Sequence, residues 1–159
     1  MPAEEFQKLL GVKINPPLSC VIKLISSSEE FGKWRSKQED RKELNEINKQ
    51  VRYQIKGSAT TGEKKAHILL QVGIMHLETQ NWDFKKSIND ALLYSARFSK
   101  CLQKLALNLG LVKEYLAFYN MTKICKRKAW EFDTAHLLTQ IYGISPKQAG
   151  VLIANGIDN

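Results

Sequence analysis

Three histidines, three cysteines and sixteen carboxylates are the side chains of this 159-residue chain that could do nucleophilic, acid–base or metal chemistry. Their spacing does not assemble them. His67, His76 and His136 lack metal-ligand spacing, and the nine-residue step from His67 to His76 turns the two to different sides of one helix. They read as satisfied or exposed histidines, not as ligands or general bases. Cys20, Cys101 and Cys125 are odd in number and far apart. That excludes a disulfide framework and a CxxC metal site, fits a reducing compartment, and makes them small core residues sooner than nucleophiles. The chain has no G-x-x-x-x-G-K-[ST] phosphate loop and no Gly-rich dinucleotide turn. With no enzyme signature in the chain, binding is the chemistry left to look for.

Charge points the same way. Twenty-four Lys and Arg against sixteen Asp and Glu give +8, which favours an anionic partner. The excess is concentrated: residues 82–130 carry ten basic and three acidic side chains, whereas residues 1–81 carry thirteen and ten. Within the segment, Lys86, Asp90, Arg97, Lys100 and Lys104, with Tyr94 among them, recur at three-, four- or seven-residue steps and line one helical face. Long cations with an aromatic on a rigid rod suit single-stranded nucleic acid, cations neutralising phosphates and rings or guanidinium planes stacking on bases. A solvated helix face is the plainer reading. Lys126-Arg127-Lys128 either extends that basic surface or is a solvated helix end favoured by the macrodipole.

The elements that must position these residues are helical throughout. A short amphipathic stretch around Glu4 to Leu10 ends at Gly11 and Pro16-Pro17, and Leu18, Val21, Ile22 and Ile25 then repeat at helical spacing. Ser28 reads as the cap of a new helix at Glu29-Glu30-Phe31. A charged helix is expected over Lys37 to Lys49 with Leu44 and Ile47 inward, then an extended connector around Val51 to Ile55. Glu63 to Leu77 is apolar on most faces and reads as a buried central helix. Asn81 or Asp83 caps a helix from about Phe84 to Leu109, with an inward stripe of Phe84, Ile88, Ala91, Leu92, Phe98, Leu102, Leu105, Ala106 and Leu109. Gly110 ends it, and a further helix covers about Leu111 to Lys126.

Residues 132–159 read as helix, tight turn, helix, with Ile141-Tyr142-Gly143-Ile144-Ser145-Pro146-Lys147 at the turn. This resembles a helix-hairpin-helix DNA-binding motif, in which backbone N–H groups hold a phosphate beside a residue such as Lys147. It departs from that pattern at Ser145, where a second glycine is common, so a packing role stands beside the phosphate-binding one. No apolar run approaches the roughly 18 residues of a membrane span, so no membrane partner is expected.

Taken in order, Ser28-Glu29-Glu30-Phe31, Arg41 with Leu44-Asn45-Glu46-Ile47-Asn48, Lys64-Lys65 to Leu69-Leu70-Gln71, Ser95-Ala96-Arg97-Phe98 and Lys126-Arg127-Lys128-Ala129-Trp130 resemble the Sec-sixty-three homology domain, from about residue 18 to the end. That domain follows the ATPase core and winged helix in Ski-two-like superfamily-two helicases and also occurs in a translocation protein of the endoplasmic reticulum. The Leu44-Asn45-x-Ile47-Asn48 run is most similar to the meiotic crossover DNA helicases of the Mer-three (HFM-one) type.

The resemblance implies an all-α fold: a seven-helix-type bundle over residues 1–131 with a long central, ratchet-like helix, followed over 132–159 by a truncated helix-hairpin-helix element. It places Arg97 where the family contacts a base, and the acid Asp90 at a second such position, a departure that breaks a two-point ratchet. It implies an accessory C-terminal domain that guides single-stranded or branched DNA in a nuclear, meiotic helicase, with nucleic acid held by Lys86, Tyr94, Arg97, Lys100, Lys104, Lys126, Arg127, Lys128 and Lys147. No cofactor is expected in this chain; ATP and Mg would belong to the ATPase core of a longer parent. That core, the winged helix, and recombination or mismatch-repair proteins are the implied partners. The alternative is a protein-docking module of a helicase, for which the mixed charge of the first 80 residues is suited, and RNA stands open beside DNA.

Overall fold

The computed structural model describes residues 17–130, which form six α-helices, one 3-10 turn and no strand. The helices are α1 (Leu18–Ser26), α2 (Glu29–Gly32), α3 (Arg41–Asn48), α4 (Gly62–Met75), α5 (Trp82–Asn108) and α6 (Val112–Arg127), with the 3-10 turn at Gln38–Asp40 before α3. The fold is all-α with a long helix at its centre. The stretch around Glu4 to Leu10, the hairpin of residues 132–159, and with them His136 and Lys147, lie outside the described residues.

The surroundings of α4 explain why its sequence is apolar on most faces. Ala66, Leu70 and Ile74 enter one apolar cluster with Val21, Ile22, Ile25, Phe31, Leu102, Phe118 and Met121. Ile68, Leu69 and Val72 enter a second with Leu44, Ile47, Val51 and Phe84. A helix shared between two cores is buried on nearly every side, so its polar residues must find partners in the protein. They do so on the connector. Gln71, fully buried, accepts from the backbone N–H of Tyr53 at 2.8 Å and donates to the Tyr53 carbonyl at 2.9 Å. His67 Nε2 lies 2.7 Å from the same carbonyl, which fixes it as the N–H donor, and burial holds its pKa below the usual histidine value against that hydrogen bond.

α3 ties down the other side of the connector. Asn48 accepts from the Ile55 N–H at 2.9 Å and donates to its carbonyl at 3.1 Å. Asn45 accepts from the Ala59 N–H at 3.0 Å and donates to the Ser58 hydroxyl at 3.1 Å. The amides thus replace the strand partners this extended segment lacks. The charged helix expected over Lys37 to Lys49 is instead a 3-10 turn and the eight-residue α3. Ser28 occupies the N-cap position of α2, but its hydroxyl makes no capping bond and is buried without a partner.

Asn81 caps α5, accepting from the N–H groups of Asp83 at 3.1 Å and Phe84 at 3.3 Å. Its amide reaches Asp40 and Glu43, joining the start of α5 to the start of α3. α5 then runs 27 residues, about 40 Å. Gly110, at φ +72°, supplies the left-handed turn that sends α6 back against it. The pair is the most extensive helix contact in the fold, with Leu102, Ala106, Phe118, Met121, Ile124 and Cys125 buried in its core.

Candidate nucleic-acid interface

α5 has no glycine or proline to kink it, so it presents its outer residues as a continuous row. Lys86, Asp90, Arg97, Lys100 and Lys104 are all exposed, as the three-, four- and seven-residue steps require. Lys86 and Lys104 stand about 27 Å apart along the axis, with Arg97 between them. Among the described residues the ion pairs are Lys33–Glu29, Lys37–Asp83 and Lys49–Glu46, and none takes a cation of this row. The row is therefore a line of hydrated cations fixed on a rigid rod.

Tyr94 is not among them. It is half buried, stacked on Phe98 at 5.7 Å and edge-on to Phe31 at 4.9 Å, because its place on the helix turns it toward α2. Its ring belongs to the packing that holds the rod in place. Lys126 and Lys128 are exposed at the end of α6, while Arg127 is half buried and keeps one guanidinium nitrogen out of water without a partner. Lys128 takes a left-handed backbone at φ 52°, and its carbonyl accepts from His76 at 2.7 Å. His76 ends α4 in the same left-handed conformation.

Several exposed residues on the hairpin were not picked out by the charge pattern. Leu93 is 59% exposed, one turn before Arg97 on the cation row. Trp82, at the first position of α5, is 80% exposed with Lys85 Nζ 4.6 Å from its ring centroid. On α6 the rings of Tyr115 and Tyr119 stack at 6.3 Å, and Lys123 Nζ sits 4.4 Å over Tyr119. An alternation of basic and aromatic residues along 112–127 is visible in the sequence and was the available signal. Leu105 and Leu109, expected inward, are exposed, as are Leu107, Val112 and Leu116. Leu107, Leu109 and Val112 flank the Gly110 turn, so this end of the hairpin is apolar and open to solvent.

Among the described residues no three His, Cys, Asp or Glu gather as a metal site. Cys125 is buried in the hairpin core, which pushes its thiol up to about 12 and makes it inert, while Cys101 is exposed on α5 and departs from the expected core role. Buried Lys65 donates to the Arg35 carbonyl at 3.2 Å, and desolvation lowers its pKa, partly offset by Asp40. An open groove beside the start of α5 is lined by Leu77, Thr79, Gln80, Lys85, Ile88 and Asn89. No helix among the described residues is long and apolar enough to cross a membrane.

Comparison with known proteins gives this all-helical arrangement its place. The chain is 29% identical over 148 residues to a Xenopus tropicalis protein named "Probable ATP-dependent DNA helicase HFM1", a match covering 89% of this chain and 11% of that protein. The chain thus corresponds to about a tenth of the length of that relative. The family model described as the Sec63 Brl domain matches residues 4–152, nearly the whole sequence, and the chain belongs to that family.

Proposed function

We propose that this chain is an accessory, non-ATPase C-terminal domain of an ATP-dependent DNA helicase, and that it guides single-stranded DNA during unwinding. The observation that carries the reading is the row of exposed cations, free of any described ion pair, on the continuous outer face of α5. The similarity to a small part of a protein named as a DNA helicase supports it. Arg97 stacks on or pairs with a base, and Lys86, Lys100 and Lys104 neutralise phosphates. Asp90, exposed in the same row, repels a phosphate, so the firm hold on the strand begins beyond it, from Arg97 to Lys104. Lys126 and Lys128 extend the basic surface, and Lys147, outside the described residues, is a further phosphate contact in this reading. ATP and Mg act in the parent's ATPase core, with which this domain and the winged helix close a channel. The setting is nuclear, in meiotic recombination and crossover formation.

A second reading is favoured by the exposed Leu107, Leu109, Val112 and Leu116 at the hairpin tip, which suit contact with another protein surface. The deciding experiment is unwinding by the full-length parent carrying Arg97→Ala. The strand-guiding reading expects a rate lowered about tenfold, and an unchanged rate would sink it. Binding of single strands should also fall with salt, by a slope of about 0.7 per neutralised phosphate and so about 2 for Lys86, Lys100 and Lys104.

A further inference from the structure

We infer that α6 carries a second part of the nucleic-acid surface, in which Tyr119 is a stacking platform for an unpaired base and Lys123 and Lys126 hold the adjoining phosphates. The inference rests on the strand-guiding reading of α5 and extends it across the helix pair. The seam between the helices fixes the geometry. Gln103 of α5 donates to the Thr122 hydroxyl at 2.6 Å and to the Phe118 carbonyl at 3.2 Å. Residues three before and four after a helical position flank it on one side. Lys100 and Leu107 therefore flank Gln103, and Tyr119 and Lys126 flank Thr122, all on the outward edge of the same seam. Lys100, Leu107, Lys126 and Tyr119 are indeed exposed.

The charge on this face has one sign. α6 and its cap hold Lys113, Lys123, Lys126, Arg127 and Lys128, and their one acid, Glu114, is buried. No described ion pair neutralises these lysines. The aromatic geometry supplies the other half of single-strand recognition. Tyr115 backs Tyr119 in a near-parallel stack, 15° between planes, and the Lys123 ammonium covers the Tyr119 ring at 4.4 Å. A base arriving on that ring displaces the ammonium, which swings onto the phosphate the base brings with it. A strand lying on Arg97, Lys100 and Lys104 thus crosses the Gln103–Thr122 seam onto Tyr119, and the two-helix face holds more nucleotides than a single row.

Equilibrium binding of a fluorescein-labelled oligothymidylate to the 159-residue chain tests this, with thermal melts confirming that each variant is folded. Tyr119→Ala should weaken binding about tenfold, while Tyr119→Phe, which keeps the ring, should stay within about twofold. Lys126→Glu, at an exposed position that leaves the fold intact, should weaken binding several-fold and lower the salt slope by at least about 0.7. If Arg97→Ala weakens binding while Tyr119→Ala and Lys126→Glu do not, the α6 surface is wrong and the α5 row stands. If the unaltered chain does not bind, or no variant changes binding, the strand-guiding reading fails together with this one. Capture of an acidic helical peptide on α6, undisturbed by excess oligothymidylate, would assign the face to a protein and overturn the inference.

Discussion

The two halves of the described chain use polar side chains in opposite ways. Between α3 and α4, Asn45, Asn48, His67 and Gln71 are all directed at the backbone of one connector, residues 53–59. On the α5–α6 hairpin, Lys86, Arg97, Lys100, Lys104 and Lys126 are directed at solvent, and no described ion pair holds them. The first set replaces missing secondary structure and is bound up with stability. The second leaves its hydrogen-bonding capacity free for something outside the chain. Substitutions should therefore separate, the first half affecting folding and the hairpin surface affecting binding.

In the connector half the largest effect is expected at the start of α4. A Cβ at Gly62 would lie 2.6 Å from the Phe31 carbonyl oxygen and closer still to that of Trp34, and backbone atoms cannot yield as a side-chain end can. Gly62→Ala should cost about 3 kcal/mol in urea unfolding. Gln71→Leu is next, since it strands the Tyr53 N–H in a buried site, at about 2 kcal/mol. A loss below about 0.5 kcal/mol in both would show that the connector is not held as described. Neither should change nucleic-acid affinity at temperatures where the variant remains folded.

Arg97→Ala tests the other half. The affinity for single strands should fall by about 1–3 kcal/mol with an unchanged melting temperature, because the exposed guanidinium makes no described ion pair within the fold. A fall in melting temperature that accounts for the lost binding would erase the distinction between the halves.

A smaller effect, in pH, belongs to the connector half. His67 has its pKa lowered by burial, so the unfolded chain binds its proton more readily than the folded one. The stabilisation is complete above the ordinary histidine value of about 6.5 and is lost as pH falls below it toward the lowered folded-state value. Unfolding between pH 7.5 and 5.5 should show this loss in the unaltered chain and less of it in His67→Gln. An equal loss in both would remove His67 from the account.

How far all this was legible in the sequence depended on whether the cause was local. α5 was expected over Phe84 to Leu109 and runs Trp82–Asn108, since uninterrupted helix formers, an Asn81 cap and Gly110 are local signals. α4 was legible as buried because most of its faces are apolar. The amides of Asn45 and Asn48 could be noticed only as part of a resemblance, since their partners lie seven to fourteen residues away in a segment without periodicity. Periodicity placed the cations of α5 on one face but also grouped Tyr94 with them, and only the position of Phe31 on α2 shows where that ring packs. The Tyr119–Lys123 contact was in reach of the same reasoning, yet α6 has the weaker amphipathic pattern and drew no attention to its outer face.

The smallest expected effect, that at Leu107, is also the sharpest for the hairpin. Leu102 and Leu107 are two leucines of one helix that periodicity separates, Leu102 in the inward stripe and Leu107 outside it, on the side of Lys100. Leu102 is 2% exposed and Leu107 63%, because the five-residue step turns them to different sides of α5 and only the side of Leu102 meets the core with α6. Leu102→Ala should cost about 2–5 kcal/mol, as a buried leucine leaves a cavity. Leu107→Gln should change stability by less than about 0.5 kcal/mol, since it removes a group that water already reaches. If Leu107→Gln instead destabilised the isolated chain by as much as Leu102→Ala, the tip would be covered from within the chain. The exposed surface that distinguishes the hairpin from the connector half would then be smaller by its whole apolar end, leaving only the cation rows to face a partner.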